Sequence, residues 1–160
     1  MRITLRPVCE ADDPFLFELY TSTRAYEMGL VPWTDAQKLA FLQMQFAAQR
    51  SSYASEYPNA KHTVICSDDD PVGRLYLHRG QDTYHILDIT LAERQRNKGT
   101  GSAVLREILR EADEAVKPTI IYVENFNPSM RLFERLGFRV ASAKDFQLLL
   151  ERPPTSLEPE

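Results

Sequence analysis

The segment that decides the fold is a strand, a glycine-containing loop and a helix, whose centre reads Leu91-Ala92-Glu93-Arg94-Gln95-Arg96-Asn97-Lys98-Gly99-Thr100-Gly101-Ser102-Ala103. Residues 83–92 alternate in side-chain type, which predicts a strand with two faces. We expect one face to carry His85, Leu87, Ile89 and Leu91, and the other to carry Tyr84, Ile86, Asp88 and Thr90. Residues 99–116 show helical apolar spacing, and residues 119–124 form another apolar strand. This strand–helix–strand order predicts a crossover that leaves the two strands parallel.

Further strands and helices are predicted on both sides of this unit. Asp12 or Asp13 caps the first helix, Thr34-Asp35-Ala36-Gln37 matches a capping box for the second, and Asn127 and Gly137 delimit a short last helix. The complete order predicts an α/β domain with a mixed sheet. The remaining predicted elements are strands at 2–7, 61–67, 72–79, 139–142 and 145–151 and helices at 11–28 and from 34 to about 55.

Length and composition indicate one ordinary globular domain. The chain has 160 residues and a net charge of −4, which disfavours non-specific binding to nucleic acid or to an anionic membrane. We place the domain at residues 1–152 and expect a disordered tail at 153–160, where three prolines interrupt any apolar pattern.

Targeting and metal signals are lacking in the sequence. No apolar run approaches the length of a membrane span, and the N-terminal residues lack the apolar core of a signal peptide. Cys9 and Cys66 are far apart and suit a reducing compartment, so we expect a cytoplasmic protein. The histidines, His62, His78 and His85, have no ligand spacing, so we expect no metal.

The loop before the central helix has the features of an anion site. The first amides of a helix lack internal partners and carry positive potential, glycine lets the backbone approach a ligand, and Arg96 and Lys98 add charge. These features predict a phosphate or pyrophosphate at the helix start. The spacing fits neither a Walker loop nor a dinucleotide motif, which has a third glycine where this chain has Val104. The alternative is a helix that merely starts with glycine and has solvated basic neighbours.

Two segments together resemble the GNAT acyltransferase superfamily. Arg96-Asn97-Lys98-Gly99-Thr100-Gly101 resembles its R-x-x-G-x-G/A loop, and residues 127–138 resemble its N-x-x-A-x-x-L-Y-x-x-x-G-F helix. The resemblance extends over the element order to about residue 152. It implies a mixed, mostly antiparallel sheet of about seven strands, with a central splayed parallel pair and four flanking helices.

The resemblance also implies an acetyl-CoA site. The pyrophosphate would lie on residues Arg96, Asn97, Lys98, Gly99, Thr100, Gly101 and Ser102, and the pantetheine arm would add to the strand that carries Ile89 and Leu91. The Leu91 amide would stabilise the oxyanion of the thioester carbonyl, and Asn127 would hydrogen-bond the arm. A neutral amine would attack the thioester directly in a ternary complex.

Two residues depart from the family pattern. Met130 replaces a small residue, and Phe133 stands where many members have a tyrosine that protonates the departing thiolate. Phe133 motivates an alternative function, an acyl-CoA-binding module or sensor with little turnover. A nucleotide-binding protein that shares only the glycine loop is a third alternative.

Candidates for proton transfer and acceptor binding complete the sequence analysis. Asp88 and Glu124 are rival bases, and Tyr122 is a candidate proton donor. His85 is interpreted as a packed histidine. Residues Trp33, Arg50, Tyr53 and Asp88 are predicted to bind the acceptor, which could be a small-molecule amine, an amino acid or a protein amine. Edge strands would allow a homodimer.

Overall fold

A computed structural model of the chain describes residues 2–155, and this range contains a seven-stranded sheet and four α-helices. The elements are β1 (Ile3–Pro7), α1 (Asp13–Gly29), α2 (Asp35–Glu56), β2 (Lys61–Ser67), β3 (Asp70–Arg79), β4 (Tyr84–Leu91), α3 (Thr100–Glu114), β5 (Thr119–Glu124), α4 (Met130–Arg135), β6 (Arg139–Lys144) and β7 (Gln147–Arg152). Every predicted strand and helix is therefore present. The capping box at Thr34 is confirmed, because its hydroxyl accepts the Gln37 amide and the Gln37 side chain accepts the Thr34 amide.

The sheet is mixed, with the strand order β1-β2-β3-β4-β5-β7-β6. All neighbouring pairs are antiparallel except β4 and β5, which are parallel. The parallel register consists of Tyr84 with Thr119, His85 with Ile120 and Ile86 with Ile121. Beyond Ile86 and Ile121 the two strands separate. The predicted fold class and its splayed parallel pair are confirmed.

Helices cover both faces of the sheet. The amphipathic helix α3 buries Val104, Leu105, Ile108 and Leu109 against one face, where they form the main core with strand residues such as Leu75 and Leu77. On the other face, α1 and α2 pack together through a smaller core of Leu16, Tyr20, Leu42 and Phe46.

A β-bulge interrupts β4, and the predicted uninterrupted alternation of its faces is wrong. Tyr76 pairs with Asp88 while Leu77 pairs with Ile86, so Leu87 is an extra residue without a partner on β3. An extra residue exchanges the faces of everything that follows it. Ile86 and Ile89 therefore both lie in the core with α3, and His85 faces the α1–α2 side instead of sharing a face with Ile89.

The last helix starts later and ends where expected. The Asn127 carboxamide oxygen accepts the Ser129 amide at 2.7 Å, so Asn127 closes a turn and α4 begins at Met130. Gly137 has a φ of 99°. The Gly137 and Phe138 amides return to the carbonyls of Glu134 and Phe133, both at 3.0 Å. This is the Schellman C-terminal motif, and the Phe133–Phe138 ring contact completes it.

The C-terminal end of the described chain is attached to α3. The Thr155 amide donates to Asp113 at 2.9 Å, and Arg152 pairs with the same carboxylate at 2.8 Å. Thr155 belongs to the segment that the sequence predicts as a disordered tail; residues 156–160 of that segment lie outside the described residues.

Candidate active site

The separation of β4 and β5 opens a cleft of about 760 Å³ that reaches from the start of α3 to the inner sides of α1 and α2. Arg96 and Gly101 line one end, and Tyr20, Arg24 and Tyr57 line the other. Because the two strands diverge, their backbone groups inside the cleft lack a neighbouring strand. The shape is that of a two-part site, with a binding surface for an extended ligand and a separate chamber behind it.

Unused amides mark the start of α3. The first helical hydrogen bond of α3 runs from the Ala103 amide to the Gly99 carbonyl at 3.0 Å, which leaves the Thr100, Gly101 and Ser102 amides without intrahelical partners. Gly99 has a φ of 82°, and no atom outside its chain neighbours would lie within 4 Å of an added Cβ. The Thr100 side chain is fully buried, and its Oγ1 has no hydrogen-bond partner among residues 2–155. The free amides fit a phosphate-bearing ligand, whereas the Thr100 hydroxyl has no surface exposed to one.

The loop itself is open to solvent and positively charged. Arg96, Asn97 and Lys98 are exposed, and Arg96 lines the cleft. Asn97 adopts a φ of 64°, a left-handed conformation that asparagine tolerates. A Cβ on Gly101 would stand 3.4 Å from Cδ1 of Leu91. Glycine thus lets the first turn of α3 lie directly against the end of β4.

The cleft side of β4 offers amides for an extended ligand. The Ala92 amide donates to the Val72 carbonyl at 2.7 Å, and the register then pairs Leu91 with Gly73 and Ile89 with Leu75. Hydrogen-bonded and non-hydrogen-bonded pairs alternate in an antiparallel ladder. Ile89 and Leu91 therefore direct their amides away from β3 and into the cleft, as the sequence analysis expects for the strand that holds the pantetheine arm.

Asp88 is held by a buried arginine that the sequence analysis did not identify. Arg74 is 1% exposed, and its Nε donates to Asp88 Oδ2 at 3.0 Å while its second nitrogen contacts the same oxygen. The Thr90 hydroxyl donates to the other carboxylate oxygen at 2.6 Å. Gln49 accepts from Arg74 at 2.8 Å. Both oxygens of Asp88 are thus engaged within the fold, which is the arrangement of a structural ion pair.

Glu124 is the more available of the two candidate carboxylates. It ends β5 at the mouth of the cleft, and its side chain is 47% exposed. Arg24 of α1 approaches it, with Nη1 4.0 Å from Oε1. Tyr122, two residues earlier on the same strand face, is 49% exposed and also lines the cleft. The structure therefore brings Glu124 and Tyr122 together.

Histidine and tyrosine rings form the inner wall of the cleft. The ring centroid of His85 lies 5.3 Å from that of Tyr57 and 5.7 Å from that of Tyr122. Loss of water around His85, and secondarily the nearby His78, lowers the pKa of His85. This lowered pKa favours the neutral form of the ring. The sequence analysis interprets His85 as a packed histidine on the Leu87 face, whereas the bulge places it on the cleft wall.

Tyr53 joins α2 to the bulge. Its hydroxyl donates to the Leu87 carbonyl at 3.1 Å, and its ring meets Tyr76 edge-on at 5.1 Å. Burial, together with the negative charge of Asp88, raises the pKa of Tyr53 to about 12. Tyr53 therefore stays protonated and fixes the backbone where the strands diverge.

Phe133 and Asn127 reach the cleft from the segment around α4. Phe133 is only 3% exposed and meets Phe138 edge-on at 5.5 Å. Its packing role is therefore evident in the structure. The Asn127 side-chain oxygen is used by the Ser129 amide, which leaves its NH₂ group as the donor for a ligand.

Two predicted acceptor residues do not line the cleft. Trp33 packs edge-on against Phe41 at 5.1 Å. Arg50 pairs with Asp13 at 3.0 Å and lines a separate groove between α1 and α2. Trp33 lies in the loop before α2 and Arg50 lies on α2, and neither lines the cleft. Of the predicted acceptor set, Tyr53 and Asp88 are cleft residues.

Neither a membrane helix nor a metal cluster is found in the range 2–155. No helix there combines the length and apolar character needed to cross a bilayer. No group of three or more His, Cys, Asp or Glu side chains in the same range is arranged to hold a metal ion.

Comparison with known families identifies the chain. The acetyltransferase (GNAT) family matches residues 16–138. The chain belongs to the GNAT family. The loop and helix motifs at residues 96–101 and 127–138 agree with this family assignment.

Individual relatives agree with this GNAT assignment. An L-amino acid N-acetyltransferase of Escherichia coli is 28% identical over 94 residues, which are 54% of this chain and 57% of that protein. The match thus spans little more than half of the curated relative.

Solved structures share the fold of this GNAT protein. The PaiA N-acetyltransferase of Thermoplasma acidophilum, solved with coenzyme A, has a TM-score of 0.73 at 15% identity, covering 96% of this chain and 99% of that one. The ribosomal-protein-S18-alanine N-acetyltransferase of Escherichia coli has a TM-score of 0.65 at 15% identity, covering 98% and 97%.

Proposed function

We propose that this protein transfers the acetyl group of acetyl-CoA to a primary amine by direct attack in a ternary complex. The observation that carries the proposal is the cleft itself, in which unpaired β4 amides and the open start of α3 meet a separate chamber with an exposed carboxylate. An extended thioester and an amine can therefore lie side by side without a covalent enzyme intermediate.

The start of α3 would bind the coenzyme. Its free amides, that of Thr100 among them, and the exposed Arg96 and Lys98 supply donors and charge for a pyrophosphate. Ile89 and Leu91 would pair with the pantetheine amides, and Asn127 would donate its NH₂ group to the arm. These contacts would align the pantetheine arm along the cleft side of β4.

The Leu91 amide would stabilise negative charge on the thioester oxygen during attack. A fixed backbone donor aimed at a developing oxyanion is worth about 3–4 kcal/mol in barrier height. The amine nitrogen forms a bond to the carbonyl carbon, the carbon–sulfur bond then breaks, and the sulfur leaves as a thiolate. Tyr122, or water in the cleft, returns a proton to that sulfur.

Glu124 would receive the proton lost by the amine. An alkylammonium titrates near ~10.4, so a proton acceptor beside it raises the fraction of nucleophilic amine. Glu124 is exposed to the cleft, whereas Asp88 is occupied by Arg74 and Thr90. We therefore assign the role of proton acceptor to Glu124 and a positioning role to Asp88.

Thiol release from acetyl-CoA with a panel of amines tests the proposal. Transfer should occur with at least one amine, and Glu124→Gln should lower kcat/KM and remove the acidic limb of its pH profile. Glu107→Gln, on the exposed face of α3 and outside the cleft lining, is the matched control. Tight CoA binding without thiol release for every amine would favour the sensor alternative, which the buried Phe133 motivates.

A cytoplasmic location and a homodimer remain part of the proposal. Cys9 and Cys66 are both free thiols, which supports a reducing compartment. β6 is an exposed edge strand, which is a surface that a second copy could extend.

A further inference from the structure

Arg24 lines the cleft, and neither packing in the fold nor binding of the coenzyme explains a positive charge at its position. It lies near the end of α1, and its side chain is 25% exposed in the chamber behind the diverging strands. The arginines that line the cleft within residues 2–155 are Arg24 and Arg96, and no lysine of this range does so. Arg96 stands at the coenzyme end. Arg24 is therefore the fixed positive charge of the opposite, acceptor end.

The Arg24 guanidinium is held in place without a hydrogen bond to Glu124. Its central carbon lies 4.9 Å from the centroid of the Tyr20 ring, so the plane is supported by an aromatic face. Glu124 is 4.0 Å from Nη1, which is too long for a hydrogen bond. A guanidinium has five N–H donors in a planar fork that matches a carboxylate. Most of these donors remain available to a ligand.

The spacing of Arg24 and Glu124 defines the ligand chemistry. Two opposite charges 4.0 Å apart face the same chamber. An α-amino acid carries its amine and its carboxylate on one carbon, so the distance between its two charges is similar to that between Arg24 and Glu124. Its carboxylate can therefore face Arg24 while its amine faces Glu124. A lysine side chain of a protein has no carboxylate close to its amine, and a protein N-terminus has an amide there. A polyamine would bring a second cation towards Arg24.

We propose that the acceptor is a free α-amino acid, with its carboxylate on Arg24 and its amine facing Glu124. This inference rests on the proposed acetyl transfer in the same cleft. The Arg24 contact holds the amine beside the carboxylate that takes its proton. Protein amines are disfavoured as acceptors because they bring no carboxylate to hydrogen-bond with the Arg24 guanidinium.

The experiment compares three acceptors that share one side chain: an L-α-amino acid, its carboxamide and the decarboxylated amine. The protein is assayed by thiol release, with each kcat/KM divided by the fraction of free amine at the assay pH. Binding of the same compounds to CoA-saturated protein is measured by calorimetry. The variants are Arg24→Gln, Arg24→Lys and the control Arg110→Gln, an exposed arginine of α3 outside the cleft lining.

We expect the free acid to exceed the amide and the amine by about tenfold to hundredfold, the range of a charge-assisted hydrogen-bonded contact. Arg24→Gln should remove that preference and leave CoA affinity and melting temperature unchanged, while Arg24→Lys should restore part of it. Arg110→Gln should behave as the wild type. Equal transfer to all three acceptors, or an unchanged preference in Arg24→Gln, would overturn the inference but leave acetyl transfer intact.

A third result separates the two proposals. If no acceptor releases thiol but the acid binds more tightly than the amide and loses this advantage in Arg24→Gln, the acid subsite stands and acetyl transfer fails. If the protein neither turns over nor distinguishes acid from amide in binding, both proposals are refuted.

Discussion

Replacing Asp88 by asparagine should destabilise the protein instead of removing its proton acceptor. Arg74 is 1% exposed, and its guanidinium is paired with the Asp88 carboxylate. Loss of one partner leaves a buried charge uncompensated, at a cost of about 3–5 kcal/mol. Asparagine retains one acceptor oxygen, so we expect a loss of about 3 kcal/mol. For a domain of this size that corresponds to a fall in Tm of roughly 6–12 °C.

Urea denaturation followed by circular dichroism measures this loss. The double variant Arg74→Met with Asp88→Leu removes both charges together, and an apolar pair at such a site is often neutral or stabilising. We expect the double variant to be within about 1 kcal/mol of the wild type, so that the coupling between the two sites is large. Thiol release by Asp88→Asn, assayed at a temperature where it is folded, should keep the wild-type pH profile.

The opposite pattern would refute this reasoning. It consists of a loss of stability well below about 1 kcal/mol in Asp88→Asn, additive effects in the double variant and a missing acidic limb in the pH–rate profile. Asp88 would then be the proton acceptor, as the sequence analysis allows, and Glu124 would not.

Three further predictions concern the coenzyme loop, Phe133 and a buried histidine. Gly99 has a φ of 82°, so Gly99→Val should lower the free energy of unfolding by about 1–2 kcal/mol. Gly99→Val and Gly101→Val should each weaken CoA binding severely. An unchanged CoA affinity of both variants, measured by calorimetry, would contradict the assignment of the loop to the coenzyme. Phe133→Tyr should raise kcat, leave CoA affinity nearly unchanged and shift the alkaline limb of the pH profile, because its hydroxyl would supply a proton to the sulfur; a flat or lower kcat would show that Phe133 only packs. Burial, and secondarily the charge of Arg74, lowers the pKa of His62 from 6.5 to about 4. Between these two pH values His62 is protonated in the unfolded state and neutral in the folded state. The free energy of unfolding therefore falls as the pH drops from about 6.5 towards 4. Allowing for partial contact of His62 with water, the loss of unfolding free energy is about 2 kcal/mol. The variant His62→Phe keeps the stacking on Tyr76. Urea denaturation of this variant at pH 7.5 and at pH 5 should lack the loss of stability that His62 causes in the wild type. A wild-type pH dependence in His62→Phe would contradict this.

The fold could be predicted from the sequence because its elements have strong local signals. The apolar spacing of α3, the capping box at Thr34 and the glycine at the end of α4 each act within a few residues. The bulge at Leu87 could not be predicted in this way, since an extra residue is visible only in the register against β3. Because of this one unpaired residue, His85 and Ile89 lie on opposite faces of β4, whereas the sequence pattern predicts a shared face.

The loop at the start of α3 has strong local sequence signals, whereas the far end of the cleft is assembled from residues that are distant in sequence. The loop at 96–102 is one continuous segment with its glycines and cations in order. Arg24 reaches Glu124 from a helix that is distant in sequence. Arg74 lies 14 residues from Asp88 on another strand. Trp33 in the loop before α2 and Arg50 on α2 contact helix residues outside the cleft, and such contacts depend on tertiary packing that the sequence pattern does not show.

The short parallel junction between β4 and β5 has a consequence for the mechanics of the molecule. Three residue pairs join the strands β1–β4 to the strands β5–β7. Interstrand bonds are therefore fewest at the centre of the sheet, where most sheets are most resistant to opening. A ligand that lies along Ile89 and Leu91 in the gap between β4 and β5 would add contacts that hold the two strands together. Amide hydrogen exchange in β5 and β7 should then slow when the coenzyme binds, so that the two halves of the sheet open as one cooperative unit.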